Sequence, residues 1–144
     1  MKHLLILSVF LFNTAFAEIY KDYEPSEQHI QLTVVAVETN YLDDYLVNLN
    51  KTYIREMEVM KELGHIVDYG VYTSDSANSP NVWFTVTYEN MAAMQPNEEQ
   101  YKQVRKILKE RFEESEDEIV TISKSYEEIR KMVDNQIINK VNFK

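Results

Sequence analysis

Two runs, His65-Ile-Val-Asp-Tyr-Gly-Val-Tyr-Thr73 and Val82-Trp-Phe-Thr-Val-Thr-Tyr88, are rich in Val, Tyr, Phe, Trp and Thr and flank the insert Ser74-Asp-Ser-Ala-Asn-Ser-Pro-Asn81. β-Branched and aromatic residues suit a pleated, partly buried surface, while Ser, Asp, Asn and Pro favour turns, so the stretch reads as an antiparallel hairpin. Because side chains alternate between faces, the register follows from the pairing that sorts them best. Setting Tyr72 opposite Trp83 puts Val71 by Phe84, Tyr69 by Val86 and Val67 by Tyr88 on one apolar face. The other face then carries Asp68, Gly70 and Tyr72 against Thr87, Thr85 and Trp83. The apolar face is the seat for helices, and the mixed face either meets solvent or lines something. Gly70, inside a strand, marks a bulge or a close approach by another group, with Trp83 placed to cover the gap.

The chain opens with a basic residue, a short apolar core and the small-x-small ending Ala15-Phe-Ala17, the pattern of a secretory signal peptide over residues 1–17. That apolar run is too short to span a bilayer, and no later run is longer, so export without a membrane anchor is expected, to the periplasm or the outside of the cell. There is no cysteine, which excludes a disulfide scaffold or a cysteine-linked lipid anchor. A formal charge of −9, which becomes −10 once Lys2 leaves with the leader, argues against nucleic acid or anionic lipid as partner.

Residues 18–27 carry no period and read as an exposed arm preceding a single domain over 28–144. Residues 29–39 read as a strand, with Ile30, Leu32, Val34 and Ala36 on one side and Gln31, Thr33, Val35, Val37 and Thr39 on the other. Asn40 can cap a helix whose stripe is Leu42, Tyr45, Leu46, Leu49, Tyr53, Met57 and Met60, ending near Gly64. After the hairpin come a short turn at 89–94 and a second helix beginning by Pro96, with Tyr101, Val104, Leu108 and Phe112 as its buried stripe. From about 116 a C-terminal helical extension is expected: residues 118–122 are compatible with a strand, Tyr126, Ile129, Met132, Val133 and Ile137 repeat with a helical period, and a short closing strand within 137–143 remains open.

This order, β-α-β-β-α, lacks only a final strand to be the split β-α-β arrangement of ferredoxin-like domains, an α+β antiparallel sheet with its helices on one face. The passage Lys61-Glu-Leu-Gly-His-Ile-Val-Asp-Tyr-Gly-Val-Tyr72 and the run Val82-Trp-Phe-Thr-Val-Thr-Tyr-Glu-Asn-Met-Ala-Ala-Met94 resemble the dimeric α+β barrel superfamily over about residues 28–112. That resemblance implies a homodimer whose open sheet faces press together and enclose a pocket. Members of the superfamily range from cofactor-free monooxygenases, isomerases and haem enzymes to proteins without known activity, so the fold names no reaction.

The expected ligand site is therefore the mixed face, with Thr33, Val35, Val37, Tyr72, Trp83 and Thr85 around a small, largely apolar molecule. Asp68 is a general base if a closed cavity raises its pKa, and a strand-surface acid otherwise. Tyr72 and Trp83 serve equally as an aromatic wall or as anchors of a protein interface. Three readings stay open: a binding protein, a cofactor-independent enzyme using Asp68, and an interaction module without ligand. His29 and His65 stand without neighbouring ligands, so neither a metal nor a cofactor is expected. Asn50-Lys-Thr52 matches a glycosylation acceptor but falls within the long helix. No phosphate loop, dinucleotide fingerprint, nucleophile elbow or His-Glu-x-x-His motif occurs.

Overall fold

The computed structural model describes residues 17–75, 80–112 and 116–144. The expected leader, apart from Ala17, and the tip of the hairpin loop lie outside the described residues. Among the described residues no helix is long and apolar enough to cross a membrane.

Four antiparallel strands, β1 (Tyr23–Val37), β2 (Asp68–Thr73), β3 (Val82–Tyr88) and β4 (Arg130–Phe143), form one sheet in the order β2-β3-β1-β4. With helices between β1 and β2 and between β3 and β4, this is the ferredoxin-like topology, and β4 is the strand that completes it. The hairpin register is the expected one, Tyr72 opposite Trp83 and Asp68 opposite Thr87. Beyond it, Asn81 extends the ladder with its side chain: Oδ1 accepts from the Val37 amide at 2.8 Å and Nδ2 donates to the Val37 carbonyl at 2.9 Å. A buried carboxamide thus satisfies both backbone groups of a core residue.

The first crossover is one helical run in three parts: α1 (Leu42–Leu49), a π-helical turn at Asn50–Ile54, and α2 (Arg55–Glu62). Asp43 and Asp44 occupy its first turn, where the dipole favours acids, and Gly64 follows its end with a left-handed φ of 71°. Its stripe seats Tyr45 and Leu49 on Val35, Val37, Val82 and Phe84 of the sheet. The second crossover holds a short turn at Met91–Met94 and two helices, α3 (Glu98–Arg111) and α4 (Glu116–Ile129). Asn97 caps α3 by accepting from the Gln100 amide at 3.1 Å. α3 makes its main contact with α2 rather than with the sheet, and Arg111 ties it to Glu62 at 2.7 Å. α4 reaches the core through Tyr126, whose ring stands edge-on to Tyr45 at 4.9 Å.

Four expectations need correction. The supposed arm is partly strand: β1 begins at Tyr23 because Tyr23, Glu24 and Pro25 pair with Phe143, Asn142 and Val141. The C-terminal extension is helical only to Ile129; residues 118–122 are helix, and Met132, Val133 and Ile137 belong to β4. Tyr101 is exposed, so the α3 stripe rests on buried Val104 and half-buried Leu108 and Phe112. The last correction concerns β1. Direct antiparallel partners share a face, and Thr33 lies opposite Phe84 and Val35 opposite Val82. Gln31, Thr33, Val35 and Val37 are therefore on the helix side, and Ile30, Leu32, Val34 and Ala36 on the open side with Trp83 and Thr85. β1 lies between two strands and is apolar on both faces in its second half, so greasiness alone did not tell which face the helices take.

Candidate functional site

The residues expected to form one site divide between the two sides of the sheet. Asp68, Tyr72, Trp83 and Thr85 are on the open face; Thr33, Val35 and Val37 are not. Asp68 is exposed, and its carboxylate accepts from Lys61 Nζ at 2.6 Å. Lys61 and the Tyr69 amide hold this carboxyl below the usual carboxylate range, which suits a surface ion pair and makes it a poor proton acceptor at neutral pH. Gly70 is roofed by Tyr72 rather than by Trp83: a Cβ on Gly70 would stand 2.8 Å from the Tyr72 ring and 3.0 Å from Thr85 Oγ1. Around these residues Ile30, Leu32 and Val34 from β1 and Ile138 from β4 add apolar side chains, and Asp134 and Gln136 of β4 add polar ones, so the open face is mixed.

A concavity lies on the helix side. Because α3 leans on α2 and α4 stands over the π-turn, a groove of about 1310 Å³ opens between these helices and the sheet. Its floor includes Thr33, Val35, Phe84 and Val86 from the sheet, and its helix wall Leu49, Thr52, Tyr53, Met57 and Met60. Two of the expected ligand residues, Thr33 and Val35, do line a cavity, on the opposite side of the sheet from Tyr72 and Trp83. Val37 is buried in the core beside it.

Two local irregularities shape this groove. The π-turn carries Thr52 and Tyr53 to the wall; such turns inside helices often mark functional sites. Thr52 Oγ1 donates to the Asn48 carbonyl at 3.2 Å and lies 2.9 Å from the Tyr126 hydroxyl, fixing α4 against the turn. Tyr53 packs edge-on to Phe84 at 5.0 Å, and its buried hydroxyl, which has no hydrogen-bond partner among the described residues, has its pKa pushed up by burial. The second irregularity is a bulge in β4. Val34 pairs with Asp134 but Val35 pairs with Met132, which leaves Val133 as the extra residue. In the stretch from Asp134 to Ile138 the even-numbered side chains face the open side; after the bulge, Met132 and Arg130 face the helices. A bulge re-aims side chains in this way beside binding sites.

Arg130 is half-buried at the groove's end. Its guanidinium donates to the Tyr45 hydroxyl at 2.9 Å and lies 5.0 Å from the centre of the Tyr126 ring. The Tyr45 hydroxyl is pushed up in pKa by burial against the opposing pull of Arg130. On the far wall the Arg55 guanidinium covers the Phe112 ring at 4.0 Å, and burial raises the Glu56 carboxyl despite nearby Arg105. None of these cations was legible as a site residue, because each sits on its own helix or strand among ordinary surface charges. The nearest sequence signal is the polar, β-branched interruption Asn50-Lys-Thr52 in an apolar helix.

Among the described residues no group of His, Asp and Glu is placed to hold a metal ion. His29 Nδ1 contacts the Glu27 carbonyl at 2.9 Å.

Fold and groove together define a ferredoxin-like α+β protein with an amphipathic cleft under its helices. Two solved structures are similar to it. One is a dimeric ferredoxin-like protein from an uncultured marine organism, at 10% identity over 85% of this chain and 89% of that one, with a TM-score of 0.41. The other is a dimeric protein of unknown function and ferredoxin-like fold from Bacteroides fragilis, at 11% identity over 83% and 98%, with a TM-score of 0.39. No family model matches the chain, and no curated protein matches its sequence.

Proposed function

We propose that this chain is a binding protein for a small, largely apolar molecule and that the molecule occupies the helix-side groove. One observation carries the reading: a cleft of about 1310 Å³ exists within a single copy, floored by the sheet and walled by methionines and aromatics. Ligand sites are generally concave, with apolar contact surface and placed polar groups, and this cleft sets Thr33, Thr52, Gln31 and a rim of charged side chains around its apolar floor. The binding reading is favoured over catalysis by Asp68, whose side chain is on the other side of the sheet and is engaged by Lys61. The leader-like first residues support export as its setting, in the periplasm or outside the cell.

Native mass spectrometry of protein purified from its own host tests the reading. A retained small molecule is expected on the wild-type chain and absent from Thr33→Trp, which fills the floor. A Thr33→Trp protein that is folded and keeps the same bound mass removes the groove as the site.

A second observation favours self-association. The open face presents half-buried Ile30, Leu32 and Trp83 beside exposed Ile138 and Tyr72, Tyr72 being 58% exposed. Contiguous apolar surface of this kind marks an interaction face. Two copies paired through it would cover these side chains, and the ligand pocket would then lie outside the interface rather than between the sheets.

A further inference from the structure

Resting on the groove as the ligand site, we infer that its occupant is a single-chain amphiphile with an anionic head, the head set against Arg130 and the chain lying along the floor toward Met57 and Met60. The chain as a whole has 15 basic and 24 acidic residues. The groove inverts this balance: Lys51, Arg55, Arg105, Lys109, Arg111 and Arg130 line it against Glu56 and Glu110, and even with Arg111 paired to Glu62 the cations stay in excess. A random sample of this surface would be acidic, so the enrichment is a property of the cleft.

Arg130 carries the assignment furthest. A partly buried guanidinium ordinarily sits beside a carboxylate, because desolvating a charge without a counter-charge is costly. Among the described residues Arg130 has only the Tyr45 hydroxyl and the rings of Tyr45 and Tyr126. Its remaining N–H donors form a fork suited to a carboxylate or phosphate. The side chain faces the groove only because of the bulge at Val133; an uninterrupted register would aim it at the open face. Between Arg130 and the methionines of α2, the floor of Val35, Thr33 and Val86 offers apolar contact for an alkyl chain. A head of opposite sign, or an uncharged ligand, would leave this guanidinium without a counter-charge among the described residues.

The full chain is titrated calorimetrically with dodecanoate, dodecyl phosphate, dodecanol and dodecyltrimethylammonium, each below its micelle concentration. One or both anions are expected to bind roughly ten- to a hundredfold more tightly than the alcohol, the gain of a charge-assisted contact. The ratio between the two anions identifies which head the site takes. In Arg130→Gln that preference collapses toward unity while dodecanol binding persists, and Arg130→Lys restores part of it. If Arg130→Gln does not fold, the wild-type comparison still decides, with its salt dependence as the second measurement: the anion preference falls as ionic strength rises. Equal binding of dodecanol and the anions, or tightest binding of the ammonium, overturns the anionic head but leaves the groove as a site. No binding by any of the four overturns the groove reading itself.

Discussion

The two faces of the sheet are built from alternate residues of the same strands and have opposite characters. On the helix side Val35 and Val82 are 0% exposed, and the surface dips into a cation-rimmed cleft. On the open side aromatic and aliphatic residues share the surface with Asp134 and Gln136, and the carboxylate–lysine pair of Asp68 with Lys61 stands exposed at its margin. The faces therefore divide the roles expected of one site: the helix side has the volume for a ligand, and the open side has the apolar surface for a partner. A one-residue step along a strand is a step from one role to the other.

Adjacent residues of β3 give the largest contrast. Phe84 is buried against Tyr53 and the α1 core, so Phe84→Ala leaves a cavity and is expected to cost about 3–5 kcal/mol in chemical denaturation. Trp83, half-buried on the open face of one copy, should cost clearly less in dilute protein, where copies are apart. At concentrations that favour pairing the gap should narrow, since Trp83 then loses buried contacts as well. Equal losses at all concentrations would erase the distinction between the faces.

Neighbours on β1 sharpen the same point through function. Leu32 projects to the open face and Thr33 into the groove. Leu32→Glu puts a charge amid the apolar surface and is expected to shift the sedimentation equilibrium from dimer to monomer by tenfold or more in dissociation constant, while ligand uptake is kept. Thr33→Trp should do the reverse. A Leu32→Glu protein that sediments like the wild type removes the open face as the pairing surface.

How much of this was legible in the residues depends on how local the cause is. The hairpin register needed only alternation along two short runs, and the pairing Tyr72 with Trp83 followed. The face of β1 did not, because Ile30, Leu32 and Val34 are more apolar than Gln31 and Thr33; the polar pair lines a cleft under the helices, where polar groups meet a cavity instead of a packed core. The end of the closing strand was an open reading at residues 137–143, but its first half was hidden by coincidence: Met132, Val133 and Ile137 fit a helical step, and Arg130 to Phe143 lacks clean alternation because the bulge at Val133 breaks it. The cleft was the least legible feature. Lys51, Arg105 and Arg130 come from the first crossover, α3 and β4, and only the topology gathers them.

Two carboxylates, one per side, respond to pH in opposite senses, and this is the smallest effect expected. Burial lifts the Glu56 carboxyl above its ordinary value of 4.5, with Arg105 opposing. Below that value folded and unfolded chains both hold the proton and the site is neutral to stability. As pH rises, the unfolded chain ionises first, so stability falls until the folded pKa is passed and then stays lowered. Glu56→Gln should therefore raise the Tm at pH 7 by a few degrees and leave it unchanged near pH 4. Asp68 has its pKa depressed below 3.8 by Lys61, so its contribution is present above that value and fades as pH falls through the folded pKa. Because the pair is exposed and screened, Asp68→Asn should lower the Tm at pH 7 only marginally, and not at all in strong acid. Thermal melts of both variants from strong acid to pH 8 check the signs. If Asp68→Asn instead stabilises the protein at neutral pH, Asp68 is a desolvated group after all and its place at the exposed margin is wrong.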